Sequence, residues 1–131
     1  MQYSEFIGQV QNRAKLATEE EALKATRAVL ETLGNRLFTN ESSHLAAQLP
    51  EEIGHFLKDK PSEKLSYDQF IYKIVEKEGV RTQDALYHAR AVFEVVREAV
   101  SQGEIDDVKA QLPQDLENLF EAGSAGQFSA Q

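Results

Sequence analysis

The sequence contains no cysteine among its 131 residues, which excludes a disulfide framework, a thiol nucleophile, an iron–sulfur cluster and a thiolate zinc site. Basic residues are scarce. Fourteen Lys+Arg stand against 22 Asp+Glu, a formal net charge of −8, and so acidic a chain disfavours the basic surface that phosphate backbones require. No stretch approaches the ~20 apolar residues of a bilayer-spanning helix. The opening residues Met1-Gln2-Tyr3-Ser4-Glu5-Phe6 lack the basic and apolar regions of a secretory signal. The cytosol is the expected setting, with neither membrane nor nucleic acid as partner. The seven glycines are scattered rather than gathered into a phosphate-cradling loop. Ser42-Ser43-His44 lacks the frame of a nucleophile elbow. The histidines His44, His55 and His88 share no i, i+4 spacing and read as solvated surface residues. The acidic runs Glu19-Glu20-Glu21 and Asp106-Asp107 read as charges that complement helix dipoles. No catalytic residue, metal site or cofactor is expected.

What is present is an ordinary globular composition, 41% hydrophobic and 27% charged, and an internal repetition. A shift of 63 positions lays Ala22-Leu23 on Ala85-Leu86, Arg27-Ala28-Val29 on Arg90-Ala91-Val92, Glu31 on Glu94 and Glu41 on Glu104. The same shift lays Ala47-Gln48-Leu49-Pro50 on Ala110-Gln111-Leu112-Pro113, while a shift of 64 lays Tyr3, Phe6, Ile7 and Thr18 on Tyr67, Phe70, Ile71 and Thr82. Such self-similarity marks a tandem duplication.

Each copy reads as four helices. Tyr67, Phe70, Ile71, Ile74 and Val75 form one helical stripe, opened by the capping pair Ser66 and Gln69 and stopped by Gly79. Helix two runs over Thr18–Leu37 and Thr82–Val100, and the second copy is apolar on two faces, as a central helix is. A short helix three lies near Ser42–Gln48 and Ile105–Gln111. Pro50 and Pro113 then start helix four, which carries Ile53, Phe56 and Leu57 or Leu116, Leu119 and Phe120. The expected architecture is all-α: repeat one over 1–57, a charged linker over 58–64 and repeat two over 65–121, packed as one pseudo-two-fold domain because a unit of ~60 residues is marginal alone. Residues 122–131 read as a flexible tail.

The aromatic first helix, the long-helix segments Ala-Thr-Arg-Ala-Val-Leu-Glu (25–31) and His-Ala-Arg-Ala-Val-Phe-Glu (88–94), and the two Gln-Leu-Pro elements resemble the family catalogued as domain of unknown function 2267. The resemblance covers residues 1–121 and implies a small, bacterial, all-helical duplicated protein. It supplies no reaction, cofactor or catalytic residue. Asn40 departs from the pattern where Gly103 stands in the second copy, and this unsettles the turn expected before helix three, since asparagine only tolerates the left-handed conformation.

Arg27 and Arg90, like Glu41 and Glu104, recur at matched places and predict structural ion pairs, Arg27 with Glu41 and Arg90 with Glu104. The other reading makes the two arginines an anion site. Each Gln-Leu-Pro reads as a helix-three to helix-four corner: leucine plugs the core, proline starts the next helix and glutamine satisfies an orphan backbone group. Tyr72 and Tyr87 replace Gly8 and Lys24 of the first copy, and Phe38 stands opposite Ser101. They read either as partner-binding anchors or as packing between the halves, with packing favoured for Phe38. The function expected from these features is a non-enzymatic protein-interaction or adaptor module that binds an unidentified protein or itself. The alternative is a small acidic-ligand binder or enzyme using Arg27 and Arg90 between the repeats.

Overall fold

Helix boundaries follow from local chemistry. In the computed structural model, which describes residues 1–123, Thr18 Oγ1 accepts the Glu21 N–H at 3.1 Å and opens α2 (Glu19–Arg36), after α1 (Tyr3–Arg13). Ser66 and Gln69 form a complete capping box at the start of α5 (Tyr67–Glu78), and Gly79, at φ 73°, ends it in the left-handed conformation that glycine adopts freely. The remaining helices are α3 (Thr39–Ala47), α4 (Glu51–Gly54) with a 3-10 turn over His55–Leu57, α6 (Thr82–Ala99), α7 (Gln102–Ala110) and α8 (Gln114–Glu121). The described residues are all-helical with no strand. None of their helices is long and apolar enough to cross a membrane.

Several boundaries depart from the sequence reading. Helices α3 and α7 begin three residues early, so Asn40 and Gly103 lie inside their first turns and Gly103 does not take a positive φ. Capping groups supply these starts, and no left-handed turn is needed. Pro50 and Pro113 occupy N-cap positions, one residue ahead of their helices. The fourth helix of the first half is a single turn closed by the 3-10 segment. Gly54 there lies so close to α3 that a Cβ would stand 2.5 Å from the Ala46 carbonyl oxygen. From residue 124 onward the expected tail lies outside the described residues.

The two 18-residue helices α2 and α6 pack against each other at the centre. α1 rests on both α2 and α6, and α5 likewise rests on both α6 and α2, so each first helix also covers the long helix of the other half. One contiguous apolar cluster results, drawing on both halves. The Phe93 ring lies 6.3 Å from Phe70 and 5.2 Å from Phe120, and burying each such side chain contributes roughly 2–3 kcal/mol. The connecting segment is tied down: Asn35 Nδ2 donates to the Pro61 carbonyl at 3.0 Å and Arg36 Nε to the Leu65 carbonyl at 2.9 Å.

Candidate functional site

Ser101 and Glu104 have capping-box spacing, in which the serine hydroxyl takes the N3 amide and the N3 carboxylate returns to the N-cap amide. Only the first bond forms. Glu104 N–H donates to Ser101 Oγ at 3.2 Å, while Ser101 N–H donates to Gln48 Oε1, from the other half, at 2.8 Å. At the start of α3 the Phe38 N–H donates to Gln111 Oε1 at 3.0 Å, and Phe38 has no capping side chain of its own. The glutamines of the Gln-Leu-Pro elements are thus exchanged, each closing a helix of the opposite half. Their neighbours Leu49 and Leu112 are buried, as the corner reading required.

This exchange releases Glu41 and Glu104, both at N3, from capping duty. Because α3 packs on α7, the two carboxylates meet. Each residue is 7% exposed. Gln48 Nε2 donates to Glu104 Oε1 at 3.4 Å, whereas Glu41 Oε2 and Glu104 Oε2 are buried and accept no hydrogen bond from any described residue. Asp107, exposed and one turn further along α7, adds a third carboxylate, and one oxygen from each of the three lies within 4.8 Å of the others. Burial, then the hydrogen bond and charge of Glu104 and the charge of Asp107, push Glu41 up to about 8. Carboxyls this close and this dry are relieved by a proton held between two of them or by a cation. The sequence predicted no metal-ligating group, because residues from α3 and α7 share no local spacing that would announce one.

The expected ion pairs do not form at these carboxylates. Arg27 Nε instead reaches Glu31, one turn along its own helix, at 3.2 Å, and its guanidinium lies 5.8 Å from the centre of the Phe56 ring. An i, i+4 carboxylate on the same face is nearer than any across a helix junction. Lys77 and Lys60 also approach Glu31, at 3.3 and 3.8 Å. Burial raises Glu31, but Lys77 and Arg27 outweigh it and the net shift is downward. Arg90 is half-buried and its charge acts on the Tyr67 phenol, opposing the upward push of burial. It does not pair with Glu104. Arg13, on α1, binds Glu98 Oε2 at 2.6 Å and Glu94 Oε1 at 3.0 Å.

Among the aromatic candidates, Phe38 is 61% and Tyr72 62% exposed. Phe38 therefore does not pack between the halves. Its backbone engages the other half through Gln111. Tyr87 is half-buried, its ring 6.3 Å from that of His88. His44 and His55 are exposed as expected, but His88 is buried and its Nδ1 contacts Glu78 Oε2, because α6 turns that face onto the end of α5. An open groove of about 560 Å3 is lined by Tyr3, Leu23 and Phe56, with Glu51, Glu52 and His55.

Compared with known families, residues 3–119 match the one described as "Uncharacterized conserved protein (DUF2267)". The chain belongs to this family. No curated protein matches it. Within this DUF2267 chain, sequence reasoning singled out Glu41 and Glu104 for the wrong partners and read Asp107 only as a charge complementing a helix dipole. The signal that pointed to the junction was the matched placing of Gln48 and Gln111, identical residues that each cap a helix of the other half.

Proposed function

We propose that the chain is a tandem duplication closed as one pseudo-two-fold body, and that it serves as a non-enzymatic interaction module whose partner presents a basic amphipathic helix. Three reciprocal contacts support the duplication. α1 covers α6 as α5 covers α2, Gln48 caps Ser101 as Gln111 caps Phe38, and Arg13 reaches Glu94 as Lys77 reaches Glu31.

The observation that carries the interaction reading is the groove between α1, α2 and the α4 region. Its floor of Tyr3, Leu23 and Phe56 is half-buried, and Glu51, Glu52 and His55 stand exposed at its rim. Apolar anchors of a partner helix fit such a floor, and its lysines or arginines complement Glu51 and Glu52 on a chain of net charge −8. Phe38 and Tyr72 are further exposed apolar points at which a partner or a second copy gains contact area. The acidic-ligand reading has less behind it, since Arg27 is already committed to Glu31 and Phe56.

The test is fluorescence anisotropy with a labelled Lys/Leu amphipathic helix and a scrambled peptide of equal charge. Saturable binding of the amphipathic peptide alone, weakened ~10-fold or more by Leu23→Asp and by Glu51→Lys with Glu52→Lys, supports the groove. Equal binding of both peptides, or no effect of Leu23→Asp, refutes it.

A further inference from the structure

Outside the groove, the most unusual chemistry is the meeting of α3 and α7. We propose that Glu41, Glu104 and Asp107 bind a single divalent cation of the hard, oxygen-seeking class and that this ion fastens the two halves together. Two independent observations point there. One oxygen from each carboxylate lies within 4.8 Å of the others, a spread that one ion with oxygen ligands at ~2.0–2.6 Å spans. Separately, Glu41 and Glu104 are more than nine-tenths buried, and each keeps one oxygen without a hydrogen-bond donor. An orphan carboxylate oxygen in that position is costly. The amides that would have satisfied these side chains are taken by Gln48 and Gln111, so the local sequence offers the carboxylates no other cation-like partner.

The donor set fixes the class. All three ligands are carboxylates, the chain has no cysteine, and none of the three residues is a histidine, which favours calcium, magnesium or manganese over zinc or copper. Exposed Asp107 gives the ion a route from solvent and leaves room for water in its remaining positions. A divalent ion among them replaces the mutual repulsion of the carboxylates with attraction and adds to the contact that α3 already makes with α7. An ion held from both halves binds the folded chain and not the unfolded one, so it raises thermal stability by mass action.

The experiment uses the whole chain, stripped with EDTA, with calorimetric titration and thermal unfolding in CaCl2, MgCl2 or MnCl2 at matched ionic strength near neutral pH. The result expected is one ion per chain for at least one of the three, and a Tm that climbs with its concentration. Asp107→Asn, a surface change that leaves the packing intact, is expected to weaken binding ~10-fold or more, and Glu104→Gln to abolish it. Bound Mn2+ is expected to broaden NMR signals from α3 and α7 before any others. The proposal is overturned if no ion binds saturably below ~10 mM, if Asp107→Asn and Glu104→Gln bind as the wild type does, or if the broadening centres on another acidic surface. A wild-type chain indifferent to all three ions, and matched in stability by Glu41→Gln, means that a proton holds the pair together, and this too overturns it.

Discussion

The two halves share several contacts, built from different side chains in some places and from identical ones in others, and the pattern is informative. On the flanks the chemistry diverges: Arg13 grips two glutamates of α6, whereas Lys77 reaches one glutamate of α2. In the core Phe93 stands where the first half has Leu30, and both are buried. At the meeting of α3 and α7 the residues are the same on both sides, Glu41 with Glu104 and Gln48 with Gln111. There a glutamate of α3 faces a glutamate of α7, whereas on the flanks Glu94 and Glu31 each meet a cation.

Breaking the core tests the comparison most severely. Phe93→Ala is expected to cost about 4 kcal/mol and Leu30→Ala about 3 kcal/mol in urea denaturation. Both are expected to shift one shared transition, because the cluster is continuous across the halves. Two separate transitions would show that the halves unfold independently.

The Glu41–Glu104 pair predicts an unusual pH dependence in EDTA-treated protein. Glu41 is raised in the folded state to about 8 from 4.5, so the native chain binds more protons than the unfolded one. Its contribution is complete below the unfolded value and is lost as pH rises through about 8. Glu98, held low by the hydrogen bond from Arg13, and Glu31, held low by Lys77 and Arg27 against burial, behave oppositely, and their contribution falls away on acidification below the ordinary carboxylate range. Chemical denaturation across this range is expected to show stability falling toward alkaline pH, and Glu41→Gln is expected to flatten that limb alone.

The exchanged caps come next. Gln111→Ala is expected to cost about 1 kcal/mol, since α3 has no capping side chain of its own, and Gln48→Ala at least as much, since it removes both the acceptor for Ser101 N–H and a donor to buried Glu104. A smaller loss for Gln48→Ala in thermal unfolding would show that the bond to Glu104 contributes nothing and that the Ser101 hydroxyl suffices to cap α7. The smallest effects belong to the flanks. Arg13→Ala is expected to cost about 1 kcal/mol and Lys77→Ala about 0.3 kcal/mol, with the gap closing at high salt as screening weakens both.

Much of the fold was readable from residue order because its determinants are local. The stripe from Tyr67 to Val75, the Ser66–Gln69 box and the Gly79 stop each act within a few residues of chain, and the structure reproduces them. The candidate site was read less well. Arg27 was matched to Glu41 because both recur, yet recurrence gives equivalence and not proximity. His88 looked like a surface residue because nothing near it in sequence reveals that Glu78 of α5 lies against it.

Sequence alone determined the helices, their apolar faces and the identical residues at matched positions, since periodicity and capping are short-range properties. Tertiary structure decided that Gln48 and Gln111 would be exchanged, that Glu41 would meet Glu104 with Asp107 beside them, and that Tyr3, Leu23 and Phe56 would share a groove. Those outcomes depend on how α3 crosses α7 and how α1 lies on α2. That geometry is set by the packing of the whole core, and no short stretch of chain contains it.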